Sequence, residues 1–405
     1  MPNRGKFIGN DNLYVPDAPT IGDASAGNAQ VSVAFTAPSD VGNDAITAYG
    51  VSVTDGTNVI GTTGSSSPVT VTGLTNGTSY TAQVWAINDY GNGPLSAATA
   101  SFSPAAPKGI MYGGNGNLNI IESILFDSAG NTIDFGDLTA GCRNGAGGSS
   151  NVKGILGYGS ESSASHSDRI EKLTISSTGN SQDFGNLTVA RNDIAGASND
   201  TRCLFAGGGA ASGQGTGGNA NLQRQNVVDF VTIASDGNAS DFGNLTISRN
   251  GIANGTSASA TRAIFAGGDE DGNVNRIDYR DIASTGNFID FGDLTVARAS
   301  GGAVASATRM CMAGGKDGNV IDFITIASTG NASDFGDRTF TGNTPTGTSS
   351  KTIGLICGGQ GNSTVSKTID KIVIASTGNA TDFGDTTQGR NQMSSGISNA
   401  HGGLS

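Results

Sequence analysis

The sequence is poor in charged residues and in long apolar runs, and each shortage excludes a class of protein. Only 14% of its 405 residues are charged, and 34 acidic residues outnumber 22 basic ones, which argues against nucleic acid as a partner. No segment approaches the roughly 20 apolar residues that a membrane helix needs. The polar start also lacks the apolar core of a secretion signal. The sequence therefore predicts neither a membrane span nor signal-dependent secretion.

Cysteine is also scarce, and its positions argue against a redox or metal role. The four residues, Cys142, Cys203, Cys311 and Cys357, fall at four different places when the internal repeats are superposed. A disulfide framework or a metal cluster requires convergent positions or CxxC-like spacing. We therefore expect four free thiols in small β cores, and we predict no cofactor.

Glycine, in contrast, is abundant, with 64 residues against only 9 prolines. The apolar residues, 36% of the chain, recur in short alternating runs bounded by Gly, Asn and Asp. Such alternation indicates half-buried β-strands. A disordered chain typically has a low apolar content instead. The sequence predicts a turn-rich, all-β protein.

Residues 16–105 contain about seven β-rich runs separated by turn signals, which is typical of a β-sandwich. The run from Leu74 through Gly77 to Tyr80 matches a Leu-x-x-Gly-x-x-Tyr corner, and on this motif the segment resembles fibronectin type III domains. The resemblance implies that the Tyr80 hydroxyl fixes the segment that crosses between the two sheets. It also implies that Tyr49 and Trp85 are core aromatics. Phe35 stands where the family usually has tryptophan. The segment is either a spacer or a partner-binding module.

Residues 106–405 contain one unit six times, marked by Asp-Phe-Gly. An aliphatic residue always stands 13 positions before the Asp, and a glycine-ended strand follows 25 or 27 positions after it. Between that glycine and the next aliphatic residue, the length varies from 6 to 20 residues. The first Asp residues of the units are Asp134, Asp183, Asp241, Asp290, Asp334 and Asp382. Two fixed intervals and one free interval indicate a packed unit with one variable loop.

Each unit divides into four short strands, A to D, with an STGN-like hairpin between C and D. The glycine doublet, the Asp-containing strand, the outer aromatic and the Thr-x-x-Arg run resemble the kelch repeat. This resemblance implies a six-bladed β-propeller. Because the first unit lacks strand A, we expect residues 394–400 to pair with strand B at 109–113 and to close the fold.

The repeated polar residues invite catalytic interpretations, but a residue that recurs in register usually solves one packing problem repeatedly. We assign this structural role to Arg191, Arg249, Arg298 and Arg390, and to Glu122 and Glu171, which replace the recurrent Asp. The fifth unit has Gly342 in place of the arginine. No kinase, glycosidase, sialidase or copper-oxidase constellation is complete, and His166 and His401 are expected at opposite faces. We predict a protein that is not an enzyme and has no metal site.

Binding function on a rigid scaffold concentrates in its variable loops, here the B to C loops. The longest loop, 209–226, is rich in Ser, Gly, Asn and Gln, which suits either carbohydrate binding or an inert surface. The loop 269–273 offers oxygen atoms to calcium, although a solvated acidic loop is favoured. The candidate binding residues are His166, Gln214, Asn219, Asn221, Gln223, Arg224, Asp269, Glu270 and Asp271.

Repeats such as IASTGNATDFGD are similar to those in virion structural proteins of tailed bacteriophages, including marine phages and cyanophages. The resemblance implies a fibre, tail, baseplate or capsid-decoration protein, made in the host cytoplasm and carried on the virion. Its polar arm, residues 1–15, and the sandwich would contact other virion proteins, and the propeller would recognise a host glycan or receptor. The alternatives are a pure assembly scaffold, or a bacterial extracellular carbohydrate-binding adhesin or carbohydrate-active enzyme. The oligomeric state is left open.

Overall fold

The computed structural model describes residues 14–211, 223–316, 318–361 and 364–404. All regular structure within these residues is β, in 33 strands. The chain divides into two compact units, Met1–Ala106 and Pro107–Ser405. No helix in the described part of the chain is long and apolar enough to cross a membrane. The prediction of an all-β protein is therefore confirmed.

The first unit is built from two sheets, with strand orders β1-β2-β5 and β4-β3-β6-β7. Its strands are β1 (Thr20–Gly27), β2 (Gln30–Thr36), β3 (Ala48–Thr54), β4 (Val59–Gly64), β5 (Val69–Thr72), β6 (Thr81–Asn88) and β7 (Gly91–Asn92). Side chains alternate across a strand, so β2 turns Val31, Val33 and Phe35 into the core while its other residues face outward. The Phe35 and Tyr49 rings lie 4.6 Å apart in this core.

The tyrosine corner is present as predicted, because the Thr75 amide donates to the Tyr80 hydroxyl at 3.1 Å. The assignment of Trp85 to the core is wrong. In β6 the alternation buries Ala82, Val84 and Ala86, and Trp85 is left on the opposite, half-buried face. There its ring covers Gly50, where a Cβ would lie 2.1 Å from the indole. Gly50 therefore provides the space for this indole on the outer face.

The second unit contains six successive antiparallel sheets among its described residues. The strands of the first three are β8 (Lys108–Tyr112), β9 (Leu118–Leu125), β10 (Ile133–Arg143), β11 (Ala146–Ser149), β12 (Lys153–Gly157), β13 (Ser160–Glu161), β14 (Ser167–Thr174), β15 (Gln182–Asn192), β16 (Ala195–Ser198), β17 (Arg202–Ala206), β18 (Gly209–Ala210), β19 (Val227–Thr232) and β20 (Ser240–Asn244). Within a sheet, consecutive strands pair as neighbours, as in the order β16-β17-β19-β20.

The same pattern continues in the remaining strands. They are β21 (Asn254–Gly255), β22 (Arg262–Ala266), β23 (Arg276–Asp281), β24 (Ile289–Asp293), β25 (Gly302–Ala305), β26 (Arg309–Ala313), β27 (Val320–Thr325), β28 (Ser333–Asp337), β29 (Thr346–Ser349), β30 (Ile353–Cys357), β31 (Thr368–Val373), β32 (Thr381–Asp385) and β33 (Gly396–Ser398). The expected pairing across the chain is confirmed, because β33 pairs with β8, with Ile397 opposite Ile110.

The fourth sheet departs from the expected four-stranded pattern. The four-strand pattern leads us to expect strand A of this unit in the segment 251–259. Only β21 forms there, and it pairs in parallel with β25 of the fifth sheet. Only a bridge between Ala258 and Ala263 joins the segment to its own sheet. A Cβ on Gly255 would lie within 2.4 Å of the carbonyl oxygens of Ala303 and Gly347. The segment therefore passes so close to the neighbouring strands that only glycine fits at this position.

The Asp-Phe-Gly repeat has a packing role. Its phenylalanines are buried, and a Cβ on its glycine would collide with the turn glycine of the next unit. The turn asparagine accepts a hydrogen bond from the amide after each Asp-Phe-Gly, as in Asp137 to Asn180 at 2.9 Å. The sixth unit makes this bond to the first, from the Asp385 amide to Asn131 at 2.9 Å. The tripeptide therefore joins each unit to its successor, including the last to the first.

Candidate functional site

A buried acid lies at each junction between neighbouring sheets of the second unit. At five junctions a buried arginine from the preceding sheet pairs with it: Arg191 with Asp229, Arg249 with Asp278, Arg298 with Asp322, Arg338 with Asp370, and Arg390 with Glu122. A threonine hydroxyl also donates to the acid, as from Thr188 to Asp229 at 2.7 Å. These acids are structural, as the sequence predicts.

The fifth unit does not lack an arginine at its junction. Arg338, four residues before Gly342, donates from Nε to Asp370 at 2.9 Å and from Nη2 to the Gly358 carbonyl at 3.0 Å. The guanidinium therefore enters the same junction from an earlier position. At the regular position of the arginine this unit has Gly342, so the repeat register alone does not predict this contact.

Six residues at one repeat position line the same cavity, and we call this set the rosette. Each stands ten positions after the Asp of Asp-Phe-Gly, and each has a left-handed backbone with φ between 51° and 59°. The rosette consists of Asn144, Asp193, Gly251, Ser300, Thr344 and Gln392. A non-glycine residue in this conformation costs about 1–2 kcal/mol, and more for a β-branched residue such as Thr344. Five such residues at equivalent positions indicate a constrained structure.

Backbone hydrogen bonds connect neighbouring members of the rosette at four places. The Thr344 amide donates to Ser300 at 2.9 Å, Ser300 to Gly251 at 2.6 Å, and Gly251 to Asp193 at 3.2 Å, in each case to the carbonyl oxygen. The Asn144 amide donates in the same way to Gln392 at 3.0 Å. In four of the six positions the buried arginine stands two residues earlier, as Arg191 before Asp193. The junction pairs therefore fix the chain immediately before the rosette.

The rosette surrounds a cavity of about 340 Å³. Asp269, Asn273 and Lys316, from the B to C loops, line it together with the six rosette residues. A smaller space of about 40 Å³ continues beneath the rosette, where Ile194, Ile252 and Met393 supply apolar walls. Pockets with an apolar base and a few convergent polar groups are typical ligand sites. This cavity is therefore the candidate functional site of the second unit.

Asp193 contributes an acidic group to the cavity wall. Burial raises the pKa of its carboxyl to about 6, although the nearby Arg143 guanidinium acts in the opposite direction. Arg143 itself donates from Nη1 to the Gln392 side chain at 3.4 Å. The other rosette side chains are amides, hydroxyls or none. The Asp193 carboxyl is therefore an acidic group on a wall made otherwise of neutral rosette side chains.

The predicted loop residues lie at several distances from this cavity. Asp269 lines it, and Arg224 forms an ion pair with Asp269. His166, Gln223, Glu270 and Asp271 are described but do not line the cavity. Gln214, Asn219 and Asn221 lie outside the described residues. The variable loops thus contribute to the rim, whereas none of the predicted residues belongs to the rosette itself.

A signal for the rosette is present in the sequence. The position ten residues after each repeat Asp is fixed in spacing, as the packing residues are, yet its residue type changes from unit to unit and is polar in five of six copies. A constant position with variable polar chemistry is typical of a recognition surface on a repeat scaffold. Because the residue type differs in every unit, this position does not stand out among the repeated identities.

The residues considered for metal or redox chemistry lie apart from this site. His401 is buried with Nε2 3.1 Å from the Ser149 carbonyl oxygen, and burial lowers its pKa to about 4. The four cysteines are free and buried, as expected. Within the described residues, no group of three or more His, Cys, Asp and Glu side chains could hold a metal ion.

Comparison with known proteins identifies the first unit. Residues 17–102 match the fibronectin type III domain family, so this part of the chain is a fibronectin type III domain. The match agrees with the two-sheet architecture and with the Tyr80 corner. No curated protein shows significant similarity to the chain.

Proposed function

We propose that residues 106–405 form a closed, six-bladed, kelch-like β-propeller. Three observations support this architecture: six similar sheets in succession, the pairing of β33 with β8, and the hydrogen bond from the sixth unit to the turn of the first. Each blade would pack its face on the next, with the rosette at one end of the central axis. A negative-stain image of the purified protein showing an open, elongated array would contradict it.

We further propose that this propeller is a binding head without catalytic activity, and that its ligand is a host-surface carbohydrate. The observation that carries the proposal is the rosette, a ring of amide, hydroxyl and carboxyl groups around a cavity of about 340 Å³. Such a volume suits one or two sugar rings, and these groups match the donors and acceptors of sugar hydroxyls. Arginine holds five of the junction acids, which leaves them unsuited to acid or base chemistry.

The biological setting that we propose is the virion of a tailed bacteriophage. The similarity of repeats such as IASTGNATDFGD to phage virion proteins supports it, and so does the fibronectin type III domain, a module that commonly mediates protein contacts. Residues 1–105 would attach the protein to other virion components, and the propeller would face the host. Mass spectrometry of purified particles tests this setting, and absence of the protein from them would contradict it.

Glycan binding is tested with the full-length protein on an array of bacterial surface polysaccharides, followed by calorimetry. The variant Asn144→Ala/Gln392→Ala removes two rosette side chains, and we expect it to lose at least about tenfold in affinity, equal to 1.4 kcal/mol. Asn180→Ala is the matched control, because its amide serves an outer turn. Equal binding by both variants would place recognition elsewhere. Normal host adsorption combined with defective particle assembly in the rosette variant would favour an assembly scaffold.

A further inference from the structure

Asp193 is half-buried on the wall of the cavity and, unlike the acids at the five arginine junctions, belongs to no ion pair among the described residues. The acids at five junctions each contact a buried guanidinium, and three of these ion pairs measure 2.7–3.0 Å. Among the described residues, the Asp193 carboxylate belongs to none of these pairs, although it lines the central cavity. A half-buried carboxylate that lines a polar cavity and forms no ion pair is available to bind a cation.

The groups that face Asp193 leave its charge incompletely balanced. Arg143 is the nearby cation that affects it, and that guanidinium is directed at the Gln392 side chain. Of the other charged residues on the cavity wall, Asp269 is paired with Arg224, and Lys316 is exposed at the rim. Burial keeps the pKa of Asp193 raised to about 6. A bound cation would give Asp193 an ion pair like those of the acids at the sheet junctions.

The remaining rosette groups favour an organic cation over a metal ion. Asn144 and Gln392 offer amide donors and acceptors, and Ser300 and Thr344 offer hydroxyls. The cavity wall carries two carboxylates, Asp193 and Asp269, and Asp269 is already paired with Arg224. The remaining charge is too little for a strong divalent site, which usually collects several acidic oxygens. A cavity of about 340 Å³ also exceeds the space that a single ion fills. The combination matches a ligand with several hydroxyl groups and one positive charge.

We infer that the rosette binds a carbohydrate with a free amino group, whose ammonium pairs with Asp193 while amide and hydroxyl side chains of the rosette bind the sugar hydroxyls. This inference rests on the proposed carbohydrate-binding function and narrows it to amino sugars that are not N-acetylated. It assigns to Asp193 the discrimination between an ammonium and a neutral amide at the same ring carbon.

Calorimetry of the full-length protein at pH 7.0 with glucosamine, N-acetylglucosamine and glucose tests the inference. We expect glucosamine to bind at least about tenfold more tightly than the two neutral sugars. Asp193→Asn should remove that preference while leaving the weak binding of the neutral sugars. The control is Asp241→Asn, which makes the same charge change at an exposed Asp of the repeat. Because Asp193 has no ion pair to lose, its variant should unfold at the same temperature as the wild type or higher.

The pH dependence provides a second readout. A proton competes with the ammonium for Asp193, so glucosamine affinity should fall about tenfold from pH 7 to pH 5, across the raised pKa. Glucose affinity, and glucosamine affinity of Asp193→Asn, should stay constant over this range. An unchanged glucosamine affinity at pH 5 would overturn the role of Asp193.

The outcomes separate this inference from the proposed function. Equal binding of the three sugars would overturn the amino-sugar inference and preserve carbohydrate binding. Binding of ethanolamine as tightly as glucosamine, with the same loss in Asp193→Asn, would show an amine site and contradict the sugar specificity. Binding of none of the probes, together with a positive polysaccharide array, would overturn the inference alone.

Discussion

Five junctions of the second unit hold a buried arginine against a buried acid, whereas the junction between the first and second sheets has a cysteine in that place. Arg191 follows its acid-binding threonine, Thr188, by three positions, and Cys142 follows Thr139 by the same interval. The acid is retained as Glu171 and accepts hydrogen bonds from the hydroxyls of Thr139 and Ser181. The cation is the component that differs.

At the junction between the first and second sheets, the cation that faces the acid comes from the second sheet. Arg169 approaches Glu171 to 3.6 Å from a half-exposed position, and its guanidinium lies 5.6 Å from the centre of the Tyr158 ring. Tyr158 itself occupies the place of the first glycine of the doublet, Gly207 in the next unit. The comparison shows that the threonine-acid contact defines a junction, and that the buried cation is one of two ways to neutralise it.

The largest effect is expected from breaking a regular junction. Arg191→Leu leaves Asp229 buried without its cation and should reduce the free energy of unfolding by about 3–5 kcal/mol. Urea unfolding followed by far-ultraviolet circular dichroism measures the loss. Fluorescence of Trp85, the single tryptophan, reports the fibronectin type III domain and should show an unchanged transition. A loss below about 1 kcal/mol would mean that the ion pair is dispensable.

The second-largest loss of stability is expected from placing an arginine at the junction between the first and second sheets, as at the regular junctions. Cys142→Arg introduces a long cation beside Tyr158 in a packed core and should destabilise the unit by about 1–3 kcal/mol. Cys142→Arg/Tyr158→Gly restores the regular pair of residue types and should recover part of that loss. A double-mutant cycle by urea unfolding measures the coupling. Additive effects of the two substitutions would show that Tyr158 does not fill the position of the arginine.

A smaller loss is expected on neutralising Glu171. Glu171→Gln keeps most hydrogen-bonding capacity and removes one of the two carboxylates that half-exposed Arg169 contacts, since Glu161 lies 3.3 Å from its Nε. We therefore expect a cost of about 1 kcal/mol. Asp229→Asn is the matched variant at a regular junction, where fully buried Arg191 would lose its counter-charge and the cost should be several times larger. Similar losses for the two variants would remove the distinction between the junctions.

The smallest effect is a difference in local opening. Burial raises the pKa of the Cys142 thiol to about 12, so an alkylating reagent reaches it as a thiolate only when its junction opens. We expect Cys142 to be labelled about threefold faster than Cys357, which lies near the arginine pairs of the fifth and sixth junctions. Peptide mapping by mass spectrometry during labelling gives both rates in one sample. Faster labelling of Cys357 would reverse the inferred order of stability.

The sequence made the repeat, the sandwich and the pairing of β33 with β8 predictable, because each depends on spacing and alternation along the chain. It did not predict the position of Arg338, since a guanidinium can reach one acid from two backbone positions. Trp85 was misplaced because a single aromatic residue carries no information about which face of a strand is buried when glycine lies opposite it. The rosette was missed because its shared property is a backbone conformation, and five of its six residues are not glycine.

The hydrogen bond from the Lys108 amide to Asn399 Oδ1 joins residues 291 positions apart, and it constrains the order in which the unit folds. During synthesis, β8 emerges first among the strands of the second unit but receives its partner β33 only after all the others have been made. Until then its edge is unpaired, and an unpaired edge readily accepts a strand from another molecule. Refolding at high protein concentration should therefore yield strand-exchanged dimers, in which β33 of one copy completes the first sheet of its neighbour.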